Sequence, residues 1–172
     1  MTKTKPSFDF ILKKIRNKTF GLLDTVSPEG ESQTSGVLYG VSPPESKFRI
    51  YILTNHNDIK LRKIKDTPQI SFTIPFCHHF VCFLPFSTVY FESNAEIVTY
   101  NNPEAQKVFK KNSKLRTVLK DVMNSNEKEN LVFIRLKPTK RALLYKPGLS
   151  FRSLVRNKER IYDIIKIPED KY

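Results

Sequence analysis

The residues best suited to do chemistry lie in one short block, Thr54-Asn55-His56-Asn57-Asp58-Ile59-Lys60. A polar strand end that runs into a helix with a lysine in its first turn is good ground for a phosphate. Free N–H groups and the positive end of the helix dipole favour an anion there, and Lys60 adds a full charge. The competing reading of Lys60 is a solvated helix charge. A second cluster sets Cys77, His78, His79 and Cys82 within six residues. Zinc wants four ligands in a tetrahedral array, commonly a cysteine pair and a second, distant pair. Candidates this close, with adjacent histidines pointing apart, do not supply that, and no metal is expected. His78 or His79 could donate a hydrogen bond or a proton, since imidazole titrates near neutrality, or could simply be packed. The sequence contains no Gly-x-Ser-x-Gly, Walker loop or Gly-x-Gly-x-x-Gly. Any catalysis would then be a bound cofactor's, oriented by the protein.

The elements that must hold these residues are short. Phe8, Ile11, Leu12 and Ile15 recur at helical spacing in residues 7–18, with Ser7 as N-cap. Residues 20–26, 33–41, 48–53 and 69–74 read as strands, with Ser27-Pro28-Glu29-Gly30 turning the first into the second. Leu61 and Ile64 give the helix that follows Thr54 one buried stripe. Residues 88–99 predict a strand bent around Ser93-Asn94, and Asn102 with Pro103 opens a helix reaching about Met123. Residues 131–136 and 141–145 read as two strands parted by Lys137-Pro138-Thr139-Lys140. The apolar stretch 76–84, bracketed by prolines, suits burial against a second subunit. Residues 146–172 read as a basic, helical C-terminal extension. Many short strands with few helices predict an α+β fold, a mainly antiparallel and nearly closed barrel with flanking helices.

The 172 residues suit a single domain spanning 1–172. No apolar run nears the roughly 18 residues needed to cross a bilayer. The start of the chain lacks a signal-peptide pattern, and two cysteines make no disulfide framework. A reduced, cytoplasmic protein is the expectation. The net charge of +13 is uneven, +3 over residues 1–100 and +10 over residues 101–172. Such a surplus attracts anions, or is a solvated surface. One alternative is therefore a non-catalytic protein whose basic segment (Lys140, Arg141, Lys146, Arg152, Arg156, Lys158, Arg160) meets RNA or DNA.

The order of elements between Phe20 and Ile74, with Leu53-Thr54-Asn55, Lys60 and the Thr67-Pro68 turn, resembles the pyridoxamine 5′-phosphate oxidase-like family of FMN-binding split β-barrels. The resemblance implies a homodimer with flavin sites at the subunit interface, and a flavin-dependent oxidoreductase of unknown substrate. It implies that Thr54 and Asn55 contact the cofactor and that Lys60 holds its phosphate. Asp58 and Ile59 replace the family's common Ser-Arg, and Arg62 would stand in for the lost arginine. Ser35, Val37 and Tyr39 would lie along the flavin ring, with Thr88 as a further polar contact. His78 and His79 would border the partner's site. True pyridoxamine phosphate oxidase activity is not implied, because that enzyme's Trp-containing terminal segment is missing: the chain has no tryptophan. On the same fold, deazaflavin F420 or haem held by the histidine pair are the alternative cofactors.

Overall fold

The computed structural model describes residues 6–76, 87–123, 130–145 and 162–172. The Ser7 hydroxyl accepts the Phe10 amide and opens α1, Phe8–Arg16, as its capping position requires. β1, Phe20–Val26, and β2, Ser32–Val41, form an antiparallel hairpin. Its turn holds Gly30 at a φ of +89°, a conformation glycine adopts without steric cost. β3, Ile50–Asn55, leads into α2, Ile59–Asp66. Then come β4, Gln69–Phe76, and β5, Ser87–Thr99. α3, Pro103–Lys111, and α4, Ser113–Met123, precede β6, Leu131–Tyr145, and β7, Tyr162–Lys166.

The strands are hydrogen-bonded in the order β3-β2-β1-β4-β5-β6-β7, and β3 also pairs with β6. Six strands therefore close into an antiparallel barrel, and β7 extends it from β6. Inside, Leu23, Ile52, Phe72, Phe91 and Ile134 are fully buried. α1 covers one mouth, where Phe8 meets Phe48 edge to face and the Tyr39 hydroxyl donates to the Ile15 carbonyl. α2 adds Leu61 and Ile64 to the same core from the end where β3 finishes. A second apolar layer lies outside the barrel, where α3 and α4 pack Val108, Phe109 and Leu115 against Tyr51 and Phe133.

Three expectations need correction. Residues 131–145 are one strand, not two. Residues 131–136 pair with β3 and residues 141–145 with β7, so 137–140 span a gap between two neighbours. Pro138 sits in that gap, where a missing N–H removes no bond to either of them. The helix expected to reach Met123 breaks at Asn112, whose backbone is extended (φ −89°, ψ 121°). The Asn112 side chain then accepts the Lys114 and Leu115 amides and restarts the helix as α4. Finally, Tyr162–Lys166 is a strand on β6, with Ile165 buried, and not part of a helix. The rest of the expected extension, 146–161, lies outside the described residues, as does the 77–86 stretch. The bend near Ser93 is present as a register shift between Phe91 and Ser93.

The helical layer sits close on β2. A Cβ built on Gly40 would lie 2.5 Å from Val108 Cγ1 and 3.0 Å from Leu115 Cδ1. Gly40→Ala should therefore push α3 and α4 outward and cost about 1–3 kcal/mol. Urea denaturation would show this as a lower midpoint; an unaltered midpoint would mean that the layer adjusts freely.

Candidate functional site

The Thr54–Lys60 block folds into a compact polar cluster. The Asn55 side chain accepts the Asn57 amide at 3.0 Å and turns the chain out of β3. Asp58 then acts twice. Its Oδ1 accepts the backbone amide of Lys60 at 3.2 Å, capping α2, while its Oδ2 binds the Lys60 ammonium. The Thr54 hydroxyl donates to Asp58 Oδ2 and accepts from Lys60 Nζ, each at 3.1 Å. Lys60 is 8% exposed, the one buried charge among the described residues. Burial alone would push the Asp58 carboxyl up, but hydrogen bonds and charge from Lys60 outweigh it and hold the group below the usual range.

Thr54 and Lys60 thus lie in direct contact, and Asp58 both caps α2 and neutralises Lys60, a pairing the sequence did not reveal. Arg62 is exposed on α2. Ser35, Val37 and Tyr39 share one face of β2. Val37 and Tyr39 belong to the barrel core, and the Tyr39 hydroxyl is taken by Ile15. Burial pushes that hydroxyl's pKa upward. Thr88 pairs with Pro75 and Tyr145, whereas Thr54 shares its register with Val132 and Thr99 at the other end of β5. The fold therefore brings Thr54, Asn55 and Lys60 together and leaves Thr88 apart. His78 and His79 lie outside the described residues. Among the described residues no group of three or more His, Cys, Asp or Glu could hold a metal ion.

The strand register marks an opening beside this cluster. β2 and β3 pair only where Tyr39, Gly40 and Val41 face Ile52, Tyr51 and Ile50. Beyond Tyr39 they part: residues 32–38 of β2 keep only β1, and residues 53–55 of β3 keep only β6. Ser35 and Val37 thus stand on one bank of a fork, and Thr54, Asn55 and Lys60 on the other. Leu38 and Ile59 are exposed there, large apolar side chains without cover. Nothing in hydrophobic periodicity foretells a fork, because where pairing between two strands ends is not written in either strand alone.

A second concavity was not visible in the sequence. It lies between the 42–47 loop, β3, β6 and α3, has a volume of about 520 Å³, and presents Arg49, Lys107, Arg135 and Lys137. The signal was the outward spacing of Arg49 and Tyr51, at the start of β3, and of Arg135 and Lys137 on β6, strands whose partnership is not local.

No protein-family model matches the sequence, and no curated protein matches it. Solved structures do. HutZ, the heme storage protein of Vibrio cholerae, superposes with a TM-score of 0.60 at 16% identity, over 80% of this chain and 94% of its own. A putative pyridoxamine 5′-phosphate oxidase of Listeria innocua gives 0.57 at 12% identity, over 83% and 98%. A FAD-binding protein of Mesorhizobium loti gives 0.59 at 14% identity, over 80% and 92%. The fold is the split β-barrel. At these identities the likeness carries the architecture and nothing finer. No described helix is long and apolar enough to cross a membrane.

Because Asp58 both caps α2 and pairs a buried ammonium, Asp58→Ala should cost about 2–4 kcal/mol, more than a lost cap alone. Its folded pKa is depressed, so its stabilisation is complete above the unfolded carboxylate value and fades as pH falls through the folded one. Chemical denaturation from pH 7 to pH 3 should show a shallower acid limb in Asp58→Asn than in the parent. Identical limbs would remove Asp58 from the acid response.

Proposed function

We propose that this protein binds FMN at the fork between β2 and β3 and acts as a homodimeric oxidoreductase. The fork carries the reading, because two strands part there beside the only buried charge among the described residues, with Leu38 and Ile59 exposed on the flanking elements. A flavin needs both, a slot for a flat apolar ring and an anchor for its phosphate. Thr54 and Lys60 would hold that phosphate, with Arg62 as a second cation. Bound FMN would supply two-electron transfer to a substrate still to be identified. The Mesorhizobium neighbour is named as a FAD-binding protein and the Listeria neighbour as a putative pyridoxamine 5′-phosphate oxidase, and these names support the reading.

The dimer rests on the outer face of the sheet. Gly36, Leu22, Thr73, Tyr90, Leu143 and Ile164 form one register row across six strands. Phe20, Leu38 and Ile164 are exposed on that face. Exposed apolar side chains on one sheet face favour a partner, and a second copy of the chain would cover them. Such packing would set Thr88 of one copy toward the fork of the other.

One observation favours haem instead. Asp58 already neutralises Lys60, so a phosphate must displace a carboxylate, whereas haem brings no phosphate. HutZ is named for heme, and on this reading a histidine of the 78–79 pair would be the axial ligand.

Absorption spectra after adding FMN or haemin, followed by desalting, separate the two. Retained flavin bands support the first reading; a retained Soret band with no flavin supports the second. On the FMN reading Lys60→Ala weakens binding by about 1–3 kcal/mol, the worth of a charge-assisted hydrogen bond. Asp58→Asn, which frees the ammonium, tightens it, and equal or weaker affinity would oppose a phosphate at Lys60. For the dimer, light scattering should give twice the chain mass, and Ile164→Asp should shift it toward monomer.

A further inference from the structure

We propose that the basic cleft beside α3 is a second ligand site, for a small molecule carrying several phosphate groups. It is independent of the fork and of whatever the fork binds. The cleft has two lobes. The larger, about 520 Å³, is lined by Lys47, Arg49, Lys107, Arg135 and Lys137. The smaller, about 210 Å³, is lined by Arg16, Lys18 and Lys111. Pro43 and Val108 belong to both lobes, so they adjoin. Eight cations face two carboxylates, Glu45 and Glu104, across this space.

The two carboxylates are outnumbered, Glu45 acting electrostatically on Arg16. Glu104 accepts the Tyr51 hydroxyl at 2.5 Å and lies 4.0 Å from Arg135. Arg135 is in turn gripped by Glu96 at 2.8 Å, and Lys137 reaches the same carboxylate at 2.6 Å. These bonds orient Arg135 and Lys137 on the outer face of β6. They leave Lys18, Lys47, Lys107 and Lys111 with no carboxylate partner among the described residues. Arg16 donates from Nη2 to the Ser42 carbonyl at 2.7 Å, while its Nε is buried with no hydrogen-bond partner.

Ligand class follows from charge and size. Like charges gathered in a concavity repel, and a bound polyanion removes that cost. Arginine forks and lysine ammonium groups both suit phosphate oxygens. The several unpaired cations exceed what one carboxylate or one phosphate could match. The combined space is that of a small-molecule pocket. Gly40, Val41, Pro43 and Val108 give it an apolar side against which the ligand body can lie.

The test is calorimetric titration with inorganic tripolyphosphate, using the full chain in low salt and again in 0.3 M sodium chloride. The expected result is saturable binding of one ligand per chain, weakened by salt. Lys107→Ala changes an exposed helix lysine with no described partner, so folding is not at risk. It should weaken binding about tenfold, near 1.4 kcal/mol, and Arg49→Ala should do likewise. Lys65→Ala and Lys166→Ala, exposed elsewhere, should leave the affinity unaltered. Absence of saturable heat overturns the proposal. So does equal weakening by all four variants, which would mean general charge attraction, or tight binding of single-stranded oligonucleotide alone, which would mean a nucleic-acid surface.

Discussion

The structure depends on the continuity of one strand. β6 closes the barrel because its first half pairs with β3 while its whole length runs beside β5. Its second half then carries β7. Three neighbours for one strand require that it change partner on one side without breaking, and the gap at residues 137–140 is where it does so. Pro138 is compatible with this because no strand faces it from β3 or β7. Break β6 and three separate features go with it: the closure, the outer row ending at Ile164, and the Arg135–Glu96 pairing that shapes the basic cleft.

The buried lysine at the start of α2 is the second constraint. Burying an ammonium is costly unless it is paired and hydrogen-bonded. Here Asp58, two positions away, and Thr54, six positions away, meet that need, so the cluster is complete within one short segment. The same completeness sets the terms for any anion. A phosphate arriving at Lys60 competes with a carboxylate already in place, and it finds the Lys60 amide already bound by Asp58 Oδ1. On the proposed function the site exchanges one anion for another, so its affinity reflects the difference between them. This separates the chain from a simple helix-terminus phosphate site.

What the sequence made legible was local. Ser7, the Ser27–Gly30 turn, Asn102 with Pro103, and the alternation through β4 each rest on a few neighbouring residues, and each stands in the structure. The misreadings came where a local signal had a nonlocal answer. Lys137-Pro138-Thr139-Lys140 looks like a turn until β3 and β7 are known to flank it. Asn112-Ser113 inside an apolar period looked like helix, although an Asn followed by Ser, Lys and Leu also spells a fresh N-cap. Of the site, Thr54, Asn55 and Lys60 were legible because they are adjacent in the chain. The fork was not, because pairing that ends leaves no mark in hydropathy. The basic cleft was not, because its cations come from the end of α1 and the residues after it, the loop between β2 and β3, α3 and β6.

The outer surface of the barrel is divided by what covers it. Over β2, β3 and the first half of β6, the helices α3 and α4 bury Tyr51 and Phe133. Over β1, β4, β5 and β7, no described element lies on the row from Leu22 to Ile164. Closing a sheet into a barrel ordinarily removes its edges, yet among the described residues some remain, besides the end of β3 at the fork. One is β7, five residues long and bearing Lys166, the kind of short, charged edge that resists pairing. Another is the stretch of β2 from residue 32 to 38, where β3 has turned away. Its backbone groups on that side need water, a ligand or another chain. The exposed Phe20 and Leu38 and the open β2 edge belong to the same hairpin, Phe20 being paired with Leu38. A second copy laid on the face would therefore also roof the fork, so on the proposed function assembly and cofactor binding draw on one surface and each should strengthen the other.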